Sequence, residues 1–326
     1  MDWNEVIDDA LEVTVVGSFT SLGIAARRRL HAWRLPQPDA LAGQTVLLTG
    51  PTSGLGRQAA DELAALGARI VLVGRSRERL ETVRDELTDR HGEDRVTCVV
   101  ADMGSLASVQ EAVAAITATE PRIDVLIDNA GAIFPERTVG PDGIEATLAV
   151  LVVGPFALVA GMLPLLRAAP AGRVIAMSSG GMYSQRLRLD DLQFEGEPFS
   201  GTLAYARAKR AQVMLVREWA RRMRGSGIAF NAMHPGWADT PGLSASLPGF
   251  RQLIEPILRT PAEGVDTLVW LASDPTGHAR SGAFFLDRRE RPFDRVPFTR
   301  VSRAERRRLW QIVVGLARID DPAPEG

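Results

Sequence analysis

The stretch TGPTSGLG, residues 49–56, follows the apolar run TVLL and opens an Ala/Leu/Arg-rich segment with helical spacing. Strand, glycine turn and helix in that order form a dinucleotide-binding unit. Gly50 permits the tight turn, Gly54 lets the backbone approach a pyrophosphate, and Gly56 lets helix and strand pack closely. A phosphate would rest on the N–H groups at the helix start, where the dipole also favours an anion. Thr49, Ser53 and Leu55 complete the turn as candidate cofactor contacts. An ordinary surface turn is the competing reading.

Outward from this turn, short β-branched runs recur: TVLLTG, RIVLVG, VTCVVAD, DVLIDNAG, GRVIAMSS, IAFNAMHPG and GAFFLD. They are continuous rather than alternating, which suits strands covered on both faces. Longer stretches with helical spacing lie between them, such as 55–66 and 202–224. The alternation predicts an α/β fold, a single doubly wound parallel-sheet Rossmann domain over residues 42–290. Residues 1–41 form an N-terminal amphipathic helical extension, and residues 291–326 an Arg-rich tail with a short helix. In that tail Leu309, Ile312, Val313 and Leu316 share a face that packs on the core or on a partner subunit. Arg306, Arg307 and Arg308 could instead meet an acidic membrane surface.

The second strand ends VLVGRS. A chain selective for NAD would place Asp or Glu near position 74, for the ribose 2′-hydroxyl. Gly74 and Arg75 stand there instead, and a guanidinium pairs well with a 2′-phosphate. NADP(H) is therefore expected over NAD(H). A solvated arginine at a helix start remains the other reading of Arg75.

At 326 residues the chain can bury one large core or two modest ones. Hydrophobic content of 45% and a net charge of −2 fit a soluble globular protein and argue against a general nucleic-acid binder. The single Cys98 excludes an intramolecular disulfide, suits a reducing, cytoplasmic setting, and reads as a buried core residue. His31, His91, His234 and His278 are scattered without ligand spacing, so no metal site is expected.

Residues 10–26, ALEVTVVGSFTSLGIAA, would span roughly 25 Å as a helix, short of the ~30 Å hydrocarbon core of a bilayer. Ile7, Leu11, Val15, Phe19 and Leu22 fall on one helical face, followed by Arg27, Arg28 and Arg29. Two readings stand side by side: an in-plane membrane helix anchored by arginines, and a helix packed against the protein's own body or a second subunit. The first would place the protein peripherally on a membrane.

Together these motifs resemble the short-chain dehydrogenase/reductase family, over about residues 42–290. TGPTSGLG resembles its T-G-x-x-x-G-x-G turn, and DNAG (128–131) its N-N-A-G strand end, with Asp128 replacing the first Asn. The dipeptide ending at Asp102 resembles its adenine-contacting Asp. MSSGG (177–181) is similar to its serine strand, YARAK (205–209) to its Y-x-x-x-K, and HPGWADT (234–240) to its P-G-x-x-x-T. The long interval between Ser179 and Tyr205 resembles the retinol-dehydrogenase-like branch. SSGGMYSQ, MHPGWADTPG and FFLDRR are similar to the subgroup labelled dehydrogenase/reductase SDR family member twelve. The resemblance implies cofactor contacts at Asp102, Met103, Asn129, Ala130, Gly131, Pro235, Gly236 and Thr240, besides Tyr205 and Lys209. It also makes a homo-oligomer expected.

Lys209 is the only lysine among 38 Lys+Arg. Four residues apart on a helix, it and Tyr205 project from one face. A free phenol titrates at about 10 and is a poor base near neutrality. The ammonium and the positive charge of an oxidised nicotinamide are expected to favour phenolate. Lysine can also hold ribose hydroxyls and pass on a proton, whereas arginine's protons are effectively fixed. Ser179 would donate to the substrate oxygen, with Ser178 the weaker candidate. Tyr183, four residues before Leu187, lacks a basic partner and is expected to line the substrate pocket with Trp237.

Where the family carries an Asn that holds a water for the lysine relay, this chain has Leu151. Two functions are therefore carried forward. One is an NADP(H)-dependent oxidoreductase interconverting alcohol and carbonyl, and the other an NADP(H)-binding sensor or scaffold with little turnover. If the relay limits the rate, Leu151→Asn raises turnover. A nucleotide-sugar epimerase would need a longer substrate domain than the residues after 286 provide. Residues 241–264 read as a lid, with Leu243, Leu247 and Phe250 offering apolar contacts to a lipophilic alcohol or carbonyl.

Overall fold

The computed structural model describes residues 3–92, 95–242 and 248–323. Three short helices lead in: α1 (Trp3–Val13), α2 (Val15–Phe19) and α3 (Ser21–Leu30). Then β1 (Thr45–Thr49), α4 (Gly54–Ala65), β2 (Arg69–Gly74), α5 (Arg77–His91), β3 (Val96–Val100), α6 (Leu106–Thr119) and β4 (Val125–Asp128) build the first half of the sheet. The second half is α7 (Ala146–Ala168), β5 (Arg173–Met177), α8 (Gly201–Arg222), β6 (Ala229–Met233), α9 (Pro261–Ser273), β7 (Phe284–Leu286) and β8 (Arg289–Glu290). A last helix, α10 (Arg303–Ala317), closes the chain.

The strands form one sheet in the order β3-β2-β1-β4-β5-β6-β7-β8. Every pairing is parallel except β7 with β8. The order reverses between β1 and β4, where Val46 faces Val125 and Leu47 faces Leu126. In a doubly wound sheet the crevice at the carboxyl ends of such a pair is where a ligand binds.

β1, β4, β5 and β6 are buried along their whole length, as continuous apolar runs require. β3 is the exception. It lies at the sheet edge and is half-exposed, so Cys98 is half-buried rather than in the core. β8 has two residues, too few for any pattern, and it forms through the backbone pairs Phe285–Glu290 and Leu286–Arg289.

Among the described residues, α7 alone is long and apolar enough to cross a membrane, and most of it is buried inside this fold. Residues Ala149–Val153 wind as a π turn at its start. Leu151 is fully buried there, against the backbone that leaves β4.

The N-terminal segment does not make the single apolar face that its spacing suggests. Thr14 interrupts it, accepting from the Gly17 N–H at 2.9 Å and donating to the Leu11 carbonyl at 3.0 Å. α1 then buries its acidic side, Asp8 and Glu12, and turns Trp3, Val6, Ile7 and Val13 outward. Arg27, expected as a surface anchor, is fully buried. It donates to Asp8 at 2.5 Å, to Asp287 at 2.7 Å, to Glu12 at 3.0 Å and to the Gly17 carbonyl at 2.9 Å. Burial alone would raise the Asp287 carboxyl, but Arg259 and Arg27 hold it below the usual range. The helical extension is thus bound to the end of β7 by a buried ion cluster.

The tail helix packs on the same body. Leu309, Trp310, Val313 and Ala317 are buried against Phe156 and Trp219. Ile312 and Leu316 of the expected face are only half-buried, and Trp310 takes the central place instead.

Candidate active site

The glycine turn is held from behind. The Thr49 hydroxyl accepts from the backbone N–H groups of Asn129 and Ala130, at 3.0 and 2.9 Å. The Asn129 amide donates to the carbonyls of Thr49 and Gly50, at 2.8 and 3.0 Å. Gly50 adopts φ +67°, and a Cβ there would stand 2.8 Å from the Ala130 Cα. A side chain on Gly56 would overlap the Gly50 carbonyl oxygen. The ends of β1 and β4 are therefore locked at a spacing that only glycine allows. Ser53 stands at the start of α4 without a side-chain cap, leaving the first-turn N–H groups free of that partner.

Above this turn opens a cleft of about 1130 Å³, somewhat larger than the ~300–1,000 Å³ of a drug-sized ligand pocket. Its walls include Gly50, Ser53, Gly54, Leu55, Gly56, Arg75, Asp102, Met103, Asn129, Ala130 and Gly131. Ser179, Tyr205, Lys209, Pro235, Gly236, Trp237 and Thr240 line the same cleft, with Thr240 beside Gly54. Two expected residues lie elsewhere. Thr49 is buried behind the turn as a brace. Tyr183 is buried under the pocket, donating to the Pro292 carbonyl at 3.0 Å and stacked edge-on to His234 and Phe284. It is not among the residues that line the cleft, and burial pushes its phenol well up.

The cleft also holds residues that sequence patterns missed: Arg79, Ile133, Phe134, Gly181, Ser184, Gln185, Thr202 and Leu203. Arg79, in the first turn of α5 and four residues after Arg75, donates to the Thr52 carbonyl at 3.2 Å. Leu243 and Leu247 lie outside the described residues, and so does the side chain of Phe250.

Ser178 and Ser179 part company at the end of β5. Ser178 is buried and donates to the Lys209 carbonyl at 3.3 Å. Ser179 heads a single helical turn and reaches the Tyr205 hydroxyl by a hydrogen bond that lowers the phenol's pKa. Burial outweighs this and pushes Tyr205 up to about 12. The expected lowering by the lysine is absent from the protein alone. Lys209 Nζ stands 5.8 Å from the Tyr205 ring centroid, and burial brings its own pKa down to about 8, with Asp128 opposing.

The extension packs behind the loop that carries Trp237. Phe19 stacks on Trp237 at 5.4 Å and its carbonyl accepts from the Trp237 N–H at 2.7 Å. A side chain on Gly180 would overlap the Phe19 ring. Arg259, also buried, donates to the carbonyls of Ser18, Thr20 and Pro235 and pairs with Asp287. The loop His234–Thr240 is thereby tied to the extension. No group of His, Cys, Asp and Glu able to hold a metal occurs among the described residues.

The family model for short chain dehydrogenase matches residues 44–248. Dehydrogenase/reductase SDR family member 12 of Bos taurus is 38% identical over 279 residues, covering 85% of this chain and 87% of that one. Retinol dehydrogenase 14 of Homo sapiens is 32% identical over 326 residues, covering 91% and 95%. Among solved structures, a short chain dehydrogenase from Salmonella enterica serovar Typhi CT18 gives a TM-score of 0.65 at 25% identity, covering 78% of this chain and 100% of that one. A structure from Escherichia coli CFT073 complexed with NADPH gives 0.63 at 25% identity, with coverages of 78% and 100%.

Proposed function

The chain belongs to the short-chain dehydrogenase/reductase family, and we propose that it is an NADP(H)-dependent oxidoreductase interconverting an alcohol and a carbonyl on a lipophilic substrate. One observation carries the reading: Ser179, Tyr205 and Lys209 line the same cleft as the glycine turn Gly50–Gly56 and the loop Pro235–Thr240. The residues fit a dinucleotide, since the turn is closed to side chains and the first turn of α4 lacks a side-chain cap. Gly54, Leu55 and Gly56 would hold the pyrophosphate, Asp102 and Met103 the adenine side, and Asn129–Gly131 and Pro235–Thr240 the nicotinamide side. Arg75, joined by Arg79, would hold a 2′-phosphate. When bound, the cofactor supplies or accepts the hydride and, oxidised, brings a positive ring to the site.

Tyr205 then gives a proton to, or takes one from, the substrate oxygen, and Ser179 donates a hydrogen bond to that oxygen. Lys209 stabilises the phenolate. A phenol at about 12 must come down by roughly 5 units to share its proton near neutrality, about 7 kcal/mol of differential interaction. That demand falls on Lys209 together with the cofactor's positive ring. Trp237, Leu203, Ile133 and Phe134 give the open end an apolar lining, which favours a lipophilic substrate, as does the similarity to a retinol dehydrogenase. A homo-oligomer and a cytoplasmic, membrane-peripheral setting belong to the same reading, the latter because Trp3, Val6, Ile7, Val13, Val16 and Leu22 of the extension are exposed.

Fluorescence titration with NADPH and NADH, followed by a carbonyl panel read at the nicotinamide absorbance, tests the proposal. Tight NADPH binding with turnover of apolar ketones or aldehydes is expected. Tight binding without turnover of any carbonyl would favour a sensor instead, and binding of neither cofactor would defeat both.

A further inference from the structure

Lys209 is 2% exposed, and among the described residues no carboxylate touches it directly. Its ammonium donates to the Met177 carbonyl at 2.7 Å and to the Gln212 side-chain oxygen at 3.2 Å. The Gln212 amide in turn donates to the Asp128 carboxylate at 2.6 Å. All three side chains are buried, and the other Asp128 oxygen is buried without a hydrogen-bond partner. The order of donors leaves one orientation for the amide: its NH₂ must face the carboxylate and its oxygen the ammonium. Leu151, buried and apolar, can offer the lysine nothing.

We propose that Asp128 and Gln212 are positioning residues for Lys209, a buried carboxylate–amide–ammonium chain that keeps the lysine charged and aimed at Tyr205. This rests on the oxidoreductase reading for its purpose but not for its test. An uncompensated ammonium buried this deeply would shed its proton. Asp128 supplies the compensating charge through one rigid amide, so the two charges attract without collapsing into contact. The third N–H of Lys209 stays available for the cleft. Among the described residues, no other carboxylate bonds Lys209. β5 contributes the Met177 carbonyl, the residue after it is Ser178, α8 contributes Tyr205 and Gln212, and the π turn of α7 that packs against α8 contributes only Ala149, Val150, Leu151, Val152 and Val153. Asp128 raises the Lys209 pKa against the effect of burial, and Lys209 lowers that of Asp128.

The chain's single lysine makes the test direct. Protein grown on ¹³C-lysine gives one side-chain Cε signal, whose titration reads Lys209 without any substrate. In the wild-type protein a main transition near pH 8 is expected, with a second, smaller inflection near pH 6 as Asp128 takes up its proton. Asp128→Asn keeps the shape and can still accept from Gln212, so it removes the charge alone. It should move the main transition down by about one pH unit or more and abolish the smaller inflection. The high-pH limb of turnover should move down with it. A wild-type signal with one transition at the free-lysine value of about 10.4, or an Asp128→Asn titration superimposable on the wild type, overturns the proposal. The wild-type inflection decides the matter even if the variant fails to fold. Absence of NADPH binding would overturn the functional reading and leave this titration standing.

Discussion

If Arg75 and Arg79 hold a 2′-phosphate as proposed, replacing both by alanine should leave a chain that barely distinguishes NADPH from NADH. Both side chains line the cleft beyond Gly74 and both are exposed. Two charges 4 Å apart attract by about 1 kcal/mol in bulk water and about 4 kcal/mol at an effective dielectric of 20. Exposure puts these guanidiniums toward the lower figure, so each should be worth about 1–2 kcal/mol against a 2′-phosphate. Together they amount to about 2–4 kcal/mol, or roughly 30- to 1,000-fold in the ratio of the two dissociation constants. The assay is fluorescence titration of wild type, each single variant and the double variant with both cofactors, at low and high salt. NADPH affinity should fall in steps and lose its salt sensitivity. NADH affinity should hold within about two-fold, which also shows that losing the Arg79 bond to the Thr52 carbonyl has not damaged the turn. An unchanged preference in the double variant would refute the assignment of these arginines.

Arg27→Met should cost about 3–5 kcal/mol in urea unfolding, because Asp8, Glu12 and Asp287 would keep buried charges without their shared partner. A cost below 1 kcal/mol would mean that Arg259 and Arg291 suffice. His234 is buried and held neutral, its pKa pressed down to about 3 by burial first and Arg259 second. The unfolded chain takes that proton near 6.5 and the folded chain does not until about pH 3. Stability is therefore fully present above about pH 6.5 and falls by up to about 1.4 kcal/mol per pH unit below it. His234→Gln should remove that slope in denaturation measured from pH 7 to 5, and an unchanged slope would contradict it. Leu151→Asn should leave turnover within about two-fold and cost about 1–3 kcal/mol of stability, as a buried amide without a partner. A tenfold gain in turnover would show instead that Lys209 lacks what an asparagine supplies.

The sheet was legible because β1, β4, β5 and β6 are buried on both faces and carry their burial as unbroken apolar runs. The glycine turn was legible because its geometry excludes side chains at Gly50 and Gly56, and Tyr205 with Lys209 because helical spacing puts them on one face. The rest depended on partners distant in sequence. Spacing gave α1 and α2 one apolar face, yet the deciding contact is Arg27 with Asp287, 260 residues away. That pairing turns the acidic side of α1 inward. Tyr183 lies near Ser179 in sequence but is drawn under the pocket by the Pro292 carbonyl. Gln212 follows Lys209 by one helical turn, so its nearness was readable, but its role appears only when β4 brings Asp128 to its amide. Phe19 likewise comes to back Trp237 only once the extension folds onto it.

In the proposed reaction Tyr205 is the proton-transfer group beside a hydride donor. The most direct test is deuterium transfer from 4-deuterated NADPH to a carbonyl substrate, followed by mass spectrometry of the alcohol, for wild type and Tyr205→Phe. With NADPH affinity preserved, the wild type should place deuterium on the carbinol carbon, and the variant should do so about 10²- to 10⁴-fold more slowly. Equal rates of labelling in the two proteins would contradict the account.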